Sequence, residues 1–156
     1  MGKVCWQRPI HLFPNLGSQE ALELYGIYQL GREDVLSFHN RPMRHPHHSA
    51  SGVSLLGGGT YPKPGEISLA HHGILFLDEM AEFSKKTLDM LRQPLENGRI
   101  TISRAKQTVT YPAEFTLIAA MNPCPCGYDG SSRRYFVCTP KQKAAYKQKI
   151  SGPILD

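Results

Sequence analysis

Two adjacent carboxylates, Asp78 and Glu79, stand directly after the apolar run Ile74-Leu75-Phe76-Leu77. Four large apolar residues in succession read as a fully buried strand of a parallel sheet. Open α/β sheets place their ligand chemistry at the carboxyl ends of such strands. A hard carboxylate oxygen there can hold Mg²⁺ on a nucleotide while its neighbour polarises the water that attacks the terminal phosphate. A buried strand running into an acidic loop has the same local sequence, so the surrounding residues must discriminate. A second apolar run, Phe115-Thr116-Leu117-Ile118-Ala119-Ala120-Met121, ends at Asn122. The amide of Asn122 is placed to orient a water at the same sheet edge.

Other residue types invite different chemistry. His45, His47 and His48 crowd into four positions. The prolines around them predict an extended chain, on which adjacent His47 and His48 point opposite ways, against a tight metal site. Gly2-Lys3 matches the tail of a phosphate-binding loop and makes Lys3 a candidate phosphate contact. The upstream glycines are missing, and Val4 stands where Ser or Thr would hold Mg²⁺. The Gly57-Gly58-Gly59 triplet is followed by no Lys-Ser or Lys-Thr; it predicts a close backbone approach or a flexible insertion.

The elements that must position these groups are legible from spacing. Ser18 is a plausible N-cap for a helix with Ala21, Leu22, Tyr25 and Tyr28 on its apolar face and Gly31 just past its end. Residues 65–72 read as a short helix or turn. Ser84 caps a further helix with Leu88, Leu91 and Leu95 as its stripe; Pro94 strains its last turn and Asn97-Gly98 ends it. Residues 99–104 and 107–111 alternate and are rich in β-branched types, predicting a β-hairpin across Ala105-Lys106, closed by Pro112. Two buried strands, each ending in a polar group and separated by a helix, predict a parallel α/β sheet with Asp78, Glu79 and Asn122 on one edge.

Bulk properties agree with a globular domain. The chain has 156 residues, 40% hydrophobic and 20% charged, enough for one domain with a real core. No apolar run could span a bilayer and no amino-terminal segment resembles a signal peptide, so a soluble cytoplasmic protein without membrane contact is expected. The net charge of +5 permits an acidic partner such as nucleotide or nucleic acid. Between Asp129 and Asp156 only basic residues carry charge: Arg133, Arg134, Lys141, Lys143, Lys147 and Lys149. A solvated helix face accounts for them, and a nucleic-acid surface is the alternative. The cysteines, Cys5, Cys124, Cys126 and Cys138, suggest no disulfide framework.

In combination these motifs resemble the Mg-chelatase-like AAA+ ATPases, in particular the group of YifB and the competence protein ComM. The resemblance rests on Arg-Pro-Met-Arg-His-Pro-His-His (41–48), Leu-Gly-Gly-Gly (56–59), Pro-Lys-Pro-Gly-Glu-Ile-Ser-Leu-Ala-His (62–71) and Gly-Ile-Leu-Phe-Leu-Asp-Glu (73–79). Arg-Gln-Pro-Leu-Glu-Asn-Gly (92–98), Ala-Ala-Met-Asn-Pro-Cys-Pro-Cys-Gly (119–127) and Ser-Gly-Pro-Ile-Leu-Asp (151–156) complete it, in order, over roughly residues 12–156. It implies a parallel-sheet P-loop NTPase core of AAA+ type, with residues 1–156 forming a partial ChlI-like ATPase domain that carries a pre-sensor-1 β-hairpin insertion. ATP and Mg²⁺ would be its cofactors. Asp78 would be the Mg²⁺ ligand and Glu79 the catalytic base of a Walker B element, with Asn122 as sensor 1. Full-length relatives would be hexameric motors that couple ATP hydrolysis to remodelling DNA or a protein partner, as in competence-linked DNA processing. Arg104 and Lys106 near the hairpin tip would be candidate DNA contacts, or simply an exposed basic turn.

Departures from the family pattern shape the expectation. The Walker A loop would precede residues 18–30, and the chain begins where that loop would be ending. The arginine finger would follow Asp156, and the sensor-2 lid is missing. A truncated core, with weak or no ATP hydrolysis by this chain alone, is therefore expected. A catalytically inactive nucleic-acid-binding or assembly module, a gene remnant, and a true magnesium chelatase subunit are the rival readings. Many relatives carry a second Cys-x-Cys that could complete a four-thiolate zinc site. Here Phe136 takes the place of the third cysteine, so Cys124, Cys126 and Cys138 would need a histidine as fourth zinc ligand. The missing ligand favours a reduced apolar loop.

Overall fold

A computed structural model describes residues 13–33, 40–104, 107–127 and 138–148. Its centre is a parallel sheet in the order β1-β4-β7, formed by Met43–Arg44, Ile74–Leu77 and Thr116–Ala119. β4 pairs with β1 through Met43 and Ile74, and with β7 from Ile74 opposite Thr116 to Leu77 opposite Ala119. All four β4 side chains are buried, as a strand covered on both faces requires. Gly73 at its start lies so close to the Pro42 carbonyl that a Cβ could not be accommodated. That approach lets the Ile74 N–H reach the Pro42 carbonyl at 2.8 Å.

Layered on one face of the sheet is the main core. α4 (Lys85–Asn97) starts on Ser84, whose Oγ accepts the Thr87 N–H at 3.1 Å, and stops on Gly98 at φ 64°. Leu88 and Leu91 are buried against Leu75 and Leu77, each contributing about 2 kcal/mol by removal from water. The hairpin β5 (Arg99–Ser103) and β6 (Thr108–Pro112) adds Ile100, Ile102 and Tyr111 to the same core. Its register runs from Arg99 opposite Pro112 to Ser103 opposite Thr108. The smaller hairpin β2 (Gly57–Gly58) and β3 (Lys63–Pro64) follows α2 (Gly52–Leu56) and is tied to β6 by the Tyr111 hydroxyl, which donates to the Pro62 carbonyl at 2.7 Å. Gly57 has φ 97°, and a side chain there would collide with the Lys63 carbonyl, so the glycine triplet serves close backbone approach.

α1 (Ser18–Gly31) departs from the sequence expectation in three ways. Gly17, not Ser18, is the N-cap, and its N–H is held by the Glu20 carboxylate at 2.9 Å. Gly31 is the last helical residue, and Arg32 takes the left-handed C-cap at φ 59°. The buried face is Leu24, Ile27 and Tyr28, packed on Leu16 and Leu69 of α3 (Glu66–Leu69); Leu22 and Tyr25 face outward. β7 also differs. Its residues were expected to be buried, yet Thr116 and Ala119 are exposed and Leu117 and Ile118 only half-buried, because among the described residues only β4 pairs with it.

Candidate functional site

The carboxyl edge of the sheet is built by short backbone links between β4 and β7. The Ala120 N–H donates to the Leu77 carbonyl at 2.8 Å, and the Met80 N–H to the Ala120 carbonyl at 2.9 Å. Between those links the chain must turn within two residues. Glu79 absorbs the turn in the left-handed region, at φ 51° and ψ 45°, a conformation that costs a non-glycine residue about 1 kcal/mol or more. Its N–H donates to Asp78 Oδ1 at 2.9 Å, and both side chains emerge exposed. A short 3₁₀ turn, Met80–Glu82, then returns to the core through Met80 and Ala81. Asn122 is exposed three residues past the end of β7, on the same edge, close enough to Gly127 that its Oδ1 lies 3.9 Å from where a Cβ on that glycine would stand.

Two neighbours of this edge were not identified from sequence. His48 brings Nδ1 within 3.5 Å of a Glu79 carboxylate oxygen. The chain turns at residues 48–49 instead of staying extended, and the His47 and His48 rings lie 4.0 Å apart, centre to centre, rather than on opposite faces. The second is Tyr146 of α5 (Pro140–Gln148), buried in the main core although its helix was read as a solvated basic face. Burial pushes its phenol up, the nearby Glu82 and Glu79 carboxylates push the same way, and a hydrogen bond from the Asn122 backbone opposes them. A single apolar-plus-hydroxyl side chain in a basic, polar helix was the available signal for that anchor.

The thiols of Cys124, Cys126 and Cys138 converge just beyond Asn122, with their sulfur atoms all within 4.8 Å of one another. Cys124 is fully buried, and its Sγ lies 3.2 Å from that of Cys126. The Cys138 thiol is pushed up to about 11, first by its hydrogen bond with Cys126 and then by burial.

At the opposite, amino end of β4 lies a denser polar cluster. Arg41 donates to the carbonyls of Pro14 at 2.8 Å and His72 at 2.6 Å, and pairs with the Glu20 carboxylate at 3.1 Å. His71 and His72 stack at 3.7 Å and both direct Nε2 at one Glu23 oxygen, at 3.5 and 3.1 Å. Those hydrogen bonds, after one from Gln19, hold the Glu23 carboxyl down at about 2. Although Glu23, His71 and His72 are close enough to ligate a metal, His71 Nδ1 accepts the Glu114 N–H at 3.1 Å. Neutral His71 therefore carries its proton on Nε2, where it donates to Glu23 and offers no lone pair.

Arg104 directly follows β5 and folds its guanidinium over Gly58, so that the two hairpins meet there. Lys3, Lys106, Arg133, Arg134, Phe136, Lys149 and the Cys5 thiol lie outside the described residues. Among the described residues the three histidines at 45, 47 and 48 form no metal-ligating group, and no helix is long and apolar enough to cross a membrane.

Comparison with known proteins bears on this arrangement. The family model described as magnesium chelatase, subunit ChlI, matches residues 2–156. The uncharacterized protein YifB of Salmonella typhimurium is 52% identical over 93% of this chain and 29% of its own length. The competence protein ComM of Haemophilus influenzae is 52% identical over 93% of this chain and 28% of its own. The chain thus spans less than a third of the curated relatives it matches. Among solved structures, NtrX from Brucella abortus in complex with ADP aligns with a TM-score of 0.44 at 21% identity, covering 58% of this chain and 21% of that one.

Proposed function

Because the chain belongs to the magnesium chelatase subunit ChlI family, within its YifB and ComM group, we propose that it supplies the metal- and water-handling half of a nucleotide-hydrolysing AAA+ site. The observation that carries this reading is the placement of Asp78, Glu79 and Asn122 beyond the carboxyl ends of two adjacent parallel strands, with Glu79 held in the left-handed region. The donor set suits a hard divalent cation: the Asp78 carboxylate is exposed and is oriented by the Glu79 N–H on one oxygen. Bound there with ATP, Mg²⁺ would neutralise charge on the phosphate oxygens. Glu79 would accept the proton of the attacking water, and His48, beside its carboxylate, would fix the carboxylate's orientation. Asn122 would orient that water through its amide, and its backbone is anchored on buried Tyr146.

In the wider assembly, a hexameric ring would use the Arg104 surface to grip DNA or a protein partner. If DNA is the partner, Arg104→Ala should weaken binding evenly across sequences and flatten its salt dependence. Hydrolysis is tested in a chimera in which residues 1–156 replace the aligned stretch of the Haemophilus influenzae relative. Phosphate release from Mg-ATP should survive the exchange and fall at least a hundredfold in Glu79→Gln and Asp78→Asn chimeras that retain nucleotide-independent assembly. Full turnover in the Glu79→Gln chimera would overturn the assignment.

A further inference from the structure

We propose that Cys124, Cys126 and Cys138 form a thiolate site for zinc, and that the bound ion staples α5 to the loop following β7. Tetrahedral zinc with bonds of about 2.3 Å to sulfur sets neighbouring sulfurs roughly 3.8 Å apart. The sulfur atoms of Cys124 and Cys126 lie 3.2 Å apart and all three lie within 4.8 Å of one another, a range that contains that spacing. None of the three is in a disulfide.

Local structure explains why they converge. Gly127 sits at φ 76° and its N–H closes a turn onto the Cys124 carbonyl at 2.9 Å, which folds the Cys124 and Cys126 side chains to one side. Cys138 arrives from the other direction. It precedes Thr139, whose Oγ accepts the Gln142 N–H at 3.3 Å while the Gln142 side chain accepts the Thr139 N–H at 2.8 Å. This reciprocal cap fixes the first turn of α5 and therefore the position of the residue just ahead of it. Three thiols pressed together around a fully buried Cys124 gain little from one another as hydrogen-bond partners, since sulfur is a weak donor and a weak acceptor. A borderline-soft cation replaces their protons and takes all three as strong ligands. Among the described residues no further His, Cys, Asp or Glu joins the group, leaving a fourth position for water or a small exogenous ligand.

What the ion would join matters. Cys124 and Cys126 follow Asn122 almost directly, and α5 carries Tyr146, which is buried beneath the Asn122 backbone. Zinc would thus hold the loop bearing Asn122 against the helix that supports it. Its binding is independent of the nucleotide reading and is measured without nucleotide.

The experiment uses the 156-residue chain in a Cys5→Ser background, so that only the clustered thiols remain. Titration with Zn²⁺ against a chromophoric chelator should give one ion per chain. Replacement by Co²⁺ should give an intense near-ultraviolet thiolate-to-cobalt band. Cys126→Ser and Cys138→Ser should each lower zinc affinity at least a hundredfold, and zinc should raise the melting temperature of the parent but not of Cys138→Ser. Weak, non-stoichiometric zinc binding in the parent, or affinity unchanged in both serine variants, would overturn the proposal. Should a serine variant fail to fold, the parent's stoichiometry and cobalt spectrum still decide the outcome.

Discussion

The two ends of β4 are built on opposite principles. At the amino end Arg41, Glu20, Glu23, His71, His72 and Glu114 are joined in a network in which nearly every polar atom has a named partner. His71 is almost wholly buried there, and Arg41 is mostly covered. At the carboxyl end Asp78, Glu79 and Asn122 are exposed, and Glu79 is held in an unfavourable backbone conformation. Saturation at one end fixes the register of β1 and α1 against β4. Leaving the carboxylates open to solvent at the other end preserves ligand capacity, and the backbone strain at Glu79 is its cost in stability. Changes at the amino end should therefore register in stability, and changes at the carboxyl end in chemistry.

The largest effect expected under this contrast comes from Arg41→Ala. It removes the donor from two carbonyls and from the Glu20 carboxylate, and the loss of the two carbonyl hydrogen bonds should cost about 2 kcal/mol in urea unfolding. A loss below roughly 1 kcal/mol, within the range of an exposed ion pair, would erase the distinction between the two ends.

Glu79→Gly should move stability the other way. Glycine relieves the left-handed strain but loses more entropy on folding, so a net gain of about 0.5 kcal/mol is expected in thermal melting, together with loss of the proposed base. Destabilisation by more than about 1 kcal/mol would mean that the His48 contact, not the backbone, dominates at Glu79.

The smallest effect concerns pH. Burial, then the neighbouring His72, lowers the His71 pKa below 6.5, and hydrogen bonds lower Glu23 from 4.5 to about 2. In both cases the unfolded chain binds more protons, so stability falls as pH falls. The His71 contribution should fade below about 6.5, and that of Glu23 between about 4.5 and 2. Because Glu23 is exposed, its share is screened by salt. Glu23→Gln should flatten the lower part of the urea midpoint against pH while leaving carboxyl-edge chemistry unchanged. An identical pH profile for the variant would remove Glu23 from the network.

Much of the frame was legible in the sequence where one local force dominates. The continuous apolar run of β4 could be read only as a buried strand, Ser84 and Gly98 bracket α4, and alternation in residues 99–112 marks the hairpin. The readings that failed involve choices that local forces leave open. Apolar residues occur on both sides of α1, so helical spacing did not identify the face that Leu16 and Leu69 would cover. The apolar composition of β7 suggested burial, but burial of a strand depends on what lies beside it. His47 and His48 depend in the same way on a turn set by tertiary packing.

The chemical inventory and its order along the chain, a strand ending in Asp78-Glu79, a second ending in Asn122, and three thiols near that end, were determined by the sequence alone. Near-neighbour periodicity and turn chemistry suffice to encode strands and their termini. Only the tertiary structure decided what meets what: His48 beside Glu79, Tyr146 beneath Asn122, Cys138 against Cys124 and Cys126, and Arg104 over Gly58. Each of those contacts joins separate elements, and burying a shared core brings together groups that no local pattern links.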